Sequence, residues 1–87
     1  MNWPENINNL FGLAVRRERT KRKWSQESLA FRADLNRNYI SLIERGERSP
    51  TLNTIQQLAS AFDIPLSQLI SSMEEIVGAT DDRHDRT

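Results

Sequence analysis

The chain contains no cysteine, so it can form neither a disulfide framework nor a thiolate metal site. Its one histidine, His84, lies in TDDRHDRT, a polar C-terminal stretch expected to be a disordered tail and not part of a site. No histidine, cysteine or glycine-rich phosphate loop falls in the region expected to fold, and the carboxylates are scattered over helix surfaces. An enzyme is therefore not expected, and neither is a metal, a cofactor or a small-molecule ligand. No apolar run reaches the length of a membrane span, and MNWPENINN lacks the form of a signal peptide, so a cytoplasmic protein with no membrane partner is expected. Net charge is also missing, with twelve Lys/Arg against twelve Asp/Glu. Its distribution is uneven. Residues 1–48 hold ten Lys/Arg and six Asp/Glu, whereas residues 49–87 hold two and six. The front half is thus a candidate polyanion-binding face.

Eighty-seven residues, 37% hydrophobic and 28% charged, suit one small domain with a solvated surface. Apolar residues recur at helical spacing almost throughout. Ile7, Leu10, Phe11, Ala14 and Val15 form a stripe on a first helix that continues through RRERTKRK and ends at Lys23. Ser25 is a good N-cap for a second helix over 26–33, which turns Leu29 and Ala30 inward. Asp34 tolerates left-handed backbone, and Asn36 can cap a third helix from Arg37 to about Arg45, ended by Gly46. GERSP is a loop. Thr51 caps a fourth helix carrying Leu52, Ile55, Leu58, Ala59 and Phe62, and DIP breaks it. A fifth helix starts near Leu66 and is expected to end at Gly78. The domain is thus expected over 1–78, with a disordered tail over 79–87.

Two short helices joined by a tight turn inside a small all-α domain form the helix-turn-helix pattern, here at about 25–45. Ala30 is small where the pair must pack closely, and Leu35, Ile40 and Ile43 fasten the second helix of the pair to the core. Arg37 is the odd residue. A cation at a helix N-terminus opposes the macrodipole at a cost of about 0.3–1 kcal/mol, which makes sense if base acceptors supply the missing counter-charge. Arg37 has the geometry for bidentate contact with guanine, and Asn38 has the donor and acceptor for adenine. Ser41 is either a short base contact or part of a solvated face. Leu42 either meets a thymine methyl or is a scattered surface residue. Tyr39 either reaches a phosphate or packs on the core. Trp24 reads as an apolar anchor for the preceding basic run, and Trp3 is uninformative.

The stretch SQESLAFRADLNRNYISLIERGERSPTLNTIQQLASAFDIPLSQLI resembles the Cro/phage-repressor (XRE-type) helix-turn-helix family over roughly residues 10–70. Within it, NRNYISLIERGERSPTLNTI is similar to the controller proteins of restriction–modification systems, small homodimeric transcription regulators. Asp34 departs from the pattern, since the family usually has glycine in this turn. The resemblance implies a compact five-helix lambda-repressor-like DNA-binding domain with its helix-turn-helix at helices 2–3. It implies double-stranded DNA as partner, base contacts from Arg37, Asn38 and Ser41, and a phosphate contact from Gln26. Arg45 and Arg48 are implied to lie near the DNA backbone, although cations at a helix C-terminus are also favoured without DNA. Arg19 and Glu44 are implied to form a partly buried, structural ion pair.

The fifth helix, about 65–77, is expected to dimerise. Five such helices should not easily bury Leu69, Met73, Ile76 and Val77 in one small core, which leaves these residues for a twofold interface. A dimer would set two reading helices about 34 Å apart on a pseudo-palindromic operator. The alternative is a phage-type repressor or antitoxin-like regulator whose fold mainly grips a protein partner.

Overall fold

The computed structural model describes the backbone of residues 6–85 and the side chains of 6–78. Trp3, His84 as a side chain and the last two residues of the expected tail lie outside that description. Five helices are arranged in order: α1 (Ile7–Lys21), α2 (Gln26–Ala33), α3 (Arg37–Glu44), α4 (Leu52–Phe62) and α5 (Leu66–Asp85), with no strand among the described residues. The expected all-α architecture and the placing of α2, α3 and α4 agree with this.

Four helices start on the same chemistry. Asn6, Ser25, Asn36 and Thr51 each accept a hydrogen bond from a first-turn N–H, at 3.2, 3.0, 2.7 and 3.1 Å. Each such cap contributes about 1 kcal/mol by satisfying a donor the helix itself cannot. The same four helices also end alike. Lys23, Asp34, Gly46 and Asp63 adopt positive φ, and the next residue's N–H returns to the carbonyl five positions back. This is the Schellman arrangement, built on glycine at only one of the four ends. At three of them the next residue is Trp24, Leu35 or Ile64, and each packs against the core. That apolar contact helps hold a backbone conformation that glycine would reach without strain.

The core encloses Ala14 and Val15 of α1, Leu29 of α2, Ile40 and Ile43 of α3, Leu58 of α4 and Leu69 of α5. Helix α1 is central and packs on α3, α4 and α5. Its approach to α3 requires Gly12. A Cβ there would clash with the Ile43 carbonyl oxygen and stand 2.7 Å from that of Glu44.

Two expectations are corrected in α5. The helix does not stop at Gly78 but continues to Asp85, so residues 79–85 extend a helix and are not a tail. Glycine ends a helix when it turns left-handed, and Gly46 is the only described glycine that does so. Gly78 stays helical, at a cost of roughly 0.5–1 kcal/mol relative to alanine. Leu69, Met73 and Val77 are buried within the protomer, and Ile76 is partly buried against the same core. These residues are not an open interface. Their i, i+4, i+8 spacing lets α5 lay them on α1 and α4, its packing neighbours.

One buried charge ties this junction together. Glu18 is only 2% exposed and accepts hydrogen bonds from Arg22 Nη1 (2.9 Å), Ser72 Oγ of α5 (3.0 Å) and Lys21 Nζ (3.4 Å). Arg22 also donates to the Phe62 carbonyl at the end of α4 (2.8 Å). Burial pushes the Glu18 carboxyl up, but the hydrogen bonds from Arg22 and Ser72, with Lys21, outweigh it and hold the group below its ordinary value. A carboxyl lowered in the native state stabilises the fold above its unfolded value, and that stability disappears as pH falls through the native value. Glu18→Gln should therefore lower stability at neutral pH and flatten its decline toward acid. Urea midpoints of both proteins from neutral to acid pH provide the check.

Candidate nucleic-acid interface

Helix α3 is fastened on one side and open on the other. Ile40 and Ile43 are buried, while Leu35 and Tyr39 are partly buried against the core. The opposite face carries Arg37, Asn38 and Arg45, all exposed, with Ser41 half-buried between them. Their spacing of one, four and eight residues from Arg37 keeps them on adjoining rows of one helix surface. Leu42 borders this row but is half-buried and not freely exposed as expected.

Arg37 has a counter-charge within the protein, contrary to the expectation that only an external acceptor could provide one. Its Nε lies 3.8 Å from Glu27 Oε1 in the first turn of α2. The two side chains are 57% and 80% exposed, so this pair contributes little and leaves the guanidinium easily released. Arg45 pairs with Glu47 at 3.2 Å on the exposed loop side. Arg48 is exposed and makes no ion pair among the described residues. Tyr39 does not join the open face. Its hydroxyl lies 3.3 Å from Thr54 Oγ1 on α4, so packing takes most of this ring.

Behind the open face, Arg19 and Glu44 make the expected ion pair. Arg19 Nε reaches Glu44 Oε2 at 2.7 Å and Nη2 reaches Oε1 at 2.9 Å, a bidentate fork. The Arg19 Nη1 donates to the Trp24 carbonyl at 2.8 Å. Hydrogen bonding to Glu44 raises the Arg19 guanidinium above its ordinary value despite burial. Gln26, expected at a phosphate, donates through Nε2 to Glu44 Oε1 at 3.1 Å, so one carboxylate joins α1, α2 and the end of α3. Gln57 of α4 completes the frame by donating to the Ala33 carbonyl at 3.1 Å.

Three participants were not apparent from the sequence. Glu18 sits three residues after Val15 and four after Ala14, so it lies on the apolar stripe of α1, a register that marks it as inward-facing despite its basic surroundings. Arg32 stacks 4.2 Å over Trp24, whose ring in turn stacks on Phe62 at 5.9 Å. Arg16 lies 3.8 Å from Glu44 and carried no signal beyond its charge. Arg19→Ala would leave a carboxylate that is 1% exposed without its main partner, at an expected cost of about 3 kcal/mol because Gln26 and Arg16 compensate in part. The urea midpoint at neutral pH measures it.

The helix-turn-helix family matches residues 15–69, more than half of the chain. Control protein C.BamHI of Bacillus amyloliquefaciens is 46% identical over 66 residues, which cover 75% of this chain and 82% of that protein. The crystal structure of the restriction–modification controller protein C.AhdI from Aeromonas hydrophila superposes with a TM-score of 0.71 at 41% identity, covering 72% of this chain and 96% of that one. C.Esp1396I bound to a 19-base-pair DNA duplex shares the fold at a TM-score of 0.76 and 21% identity, over 82% of this chain and 95% of its own. The chain belongs to the Cro/phage-repressor (XRE-type) helix-turn-helix family and is similar to restriction–modification controller proteins over about three-quarters of its length.

Proposed function

We propose that this protein is a sequence-specific DNA-binding transcriptional regulator, a controller of a restriction–modification system that works as a cytoplasmic homodimer. The observation that carries the reading is the open polar face of α3, held rigidly by Ile40, Ile43 and the Arg19–Glu44 fork in a chain similar to controller proteins. Arg37 leaves Glu27 to pair with guanine through its fork, and Asn38 pairs with adenine. Ser41 contacts a neighbouring base edge, with the half-buried Leu42 beside it for a thymine methyl. Gln26, Arg45 and Arg48 act on phosphates, which set register and orientation without carrying sequence information.

For the homodimer, the buried α5 stripe is replaced by a different surface. Ile7 and Ile70 are 48% and 38% exposed and border a shallow apolar groove of about 200 Å³ with Phe11, Pro50 and Ile55. Leu66 lies one turn before Ile70 on α5 and is also exposed. Twofold pairing over this patch would remove apolar surface that a monomer leaves in water. Ile70→Glu should convert a dimer to monomer without unfolding it; sedimentation of the wild type as a monomer at high concentration would refute the pairing.

The function itself is tested by selecting sites from a random-sequence duplex pool and titrating the selected site and bulk DNA across salt. A specific regulator prefers its site by roughly 10³-fold or more and shows a steep negative salt slope. Arg37→Ala should relax selection at one base position, at about 1–3 kcal/mol, whereas Gln26→Ala should weaken all sequences alike. Absence of any sequence preference would favour a fold that grips a protein partner.

A further inference from the structure

Arg16 is the basic residue of α1 whose surroundings are least explained by packing. Glu44 Oε1 accepts from Arg19 Nη2 at 2.9 Å and from Gln26 Nε2 at 3.1 Å, and Arg16 Nε stands 3.8 Å from that same oxygen. The bidentate Arg19 already neutralises this carboxylate. One anion therefore faces two guanidiniums, and the Arg16 charge is in excess. Its side chain is 60% exposed and makes no hydrogen bond among the described residues, so its donors remain available. Arg17 provides a contrast. It is about 100° further round the helix and is paired with Glu75 of α5 at 3.0 Å.

We infer that Arg16 and Gln26 together grip one phosphate of the DNA backbone, at the solvent edge of the Glu44 carboxylate. The inference rests on the DNA-binding reading above and adds a residue of α1 to it. Glu44 orients both donors. Its Oε1 holds the Gln26 amide, which retains a second N–H for an incoming oxygen, and it attracts the Arg16 guanidinium without occupying its fork. Because Glu44 is also the last residue of α3, a phosphate held here has a fixed position relative to the reading face. Helix α1 then sets how α3 enters the groove without touching a base.

The test compares Arg16→Ala, Arg16→Lys and Arg17→Ala with the wild type, titrated with a labelled random-sequence duplex and with the selected site over a salt series. Arg16→Ala should lose roughly tenfold or more on both duplexes and flatten the salt slope by about 0.9 per protomer, about 1.8 for a bound dimer, the release of one phosphate's counterion from each protomer. Arg16→Lys should keep the slope. Arg17→Ala removes the same charge one residue away and should keep it too. Thermal melting of each variant checks folding, and if Arg16→Ala melts early the comparison rests on Arg16→Lys and Arg17→Ala, where a slope lost in either overturns the proposal. Equal losses from Arg16→Ala and Arg17→Ala would mean a bulk field effect and overturn it, as would an unchanged Arg16→Ala. A wild type that binds neither duplex in a salt-dependent way would instead overturn the DNA-binding reading, and this contact with it.

Discussion

The carboxylate of Glu44 is the point on which the reading helix depends. It is an anion at the C-terminal end of an eight-residue helix, where the macrodipole is already negative, and it is 1% exposed. Alone it would destabilise both the helix and the domain. Arg19 reverses this with two short hydrogen bonds, and Gln26 adds a third from the next helix. A group unfavourable to α3 in isolation thus becomes what fastens α3 to α1 and α2. Arg37 at the other end has the wrong sign as well, and its Glu27 partner is distant and solvated. Both ends of α3 oppose its dipole; one is repaired inside the protein and the other is left open on the face proposed to meet DNA.

A helix of this length is marginal in water on propensity alone, so its persistence is a tertiary property. Ile40 and Ile43 provide the burial, and Gly12 permits α1 to approach the backbone at the end of α3. Precision comes from that closeness. A reading edge can hold base-pair geometry only if its anchors lie on rigid elements. Here they lie on α1 and α2, while the exposed side chains remain free of strong internal partners. The second buried carboxylate, Glu18, does for α1, α4 and α5 what Glu44 does for α1, α2 and α3. These two acids, each with arginine donors, connect all five helices.

Helix starts were legible from residue type because a cap is a local contact. Ser25, Asn36 and Thr51 each satisfy an N–H two or three residues away, and no distant group is involved. Ends were less legible. Asp34 and Gly46 carry the residue types that suit left-handed geometry, but Lys23 does not, and its conformation depends on Trp24 packing behind it. Gly78 is the converse case, a residue suited to ending a helix in a helix that continues. Whether a glycine turns left-handed depends on where the next segment packs in space, and residue type alone does not carry that information.

The same division runs through the candidate site. The sequence by itself determined the all-α class, the helix-turn-helix at α2 and α3, the Arg19–Glu44 pairing through family resemblance, and the split of α3 into an anchoring and an exposed side. Apart from the ion pair, these are consequences of periodicity, capping and short-range pattern. Only the tertiary structure decided that Leu69, Met73 and Val77 belong to the protomer's own core, that Tyr39 turns toward Thr54, that Glu27 stands beside Arg37, and that Gln26 and Arg16 meet at one oxygen of Glu44. The physical reason is range. Spacing along a chain states which side of a helix a residue occupies, but which neighbour covers that side depends on how separate helices dock, and docking is settled by the packing of the whole core.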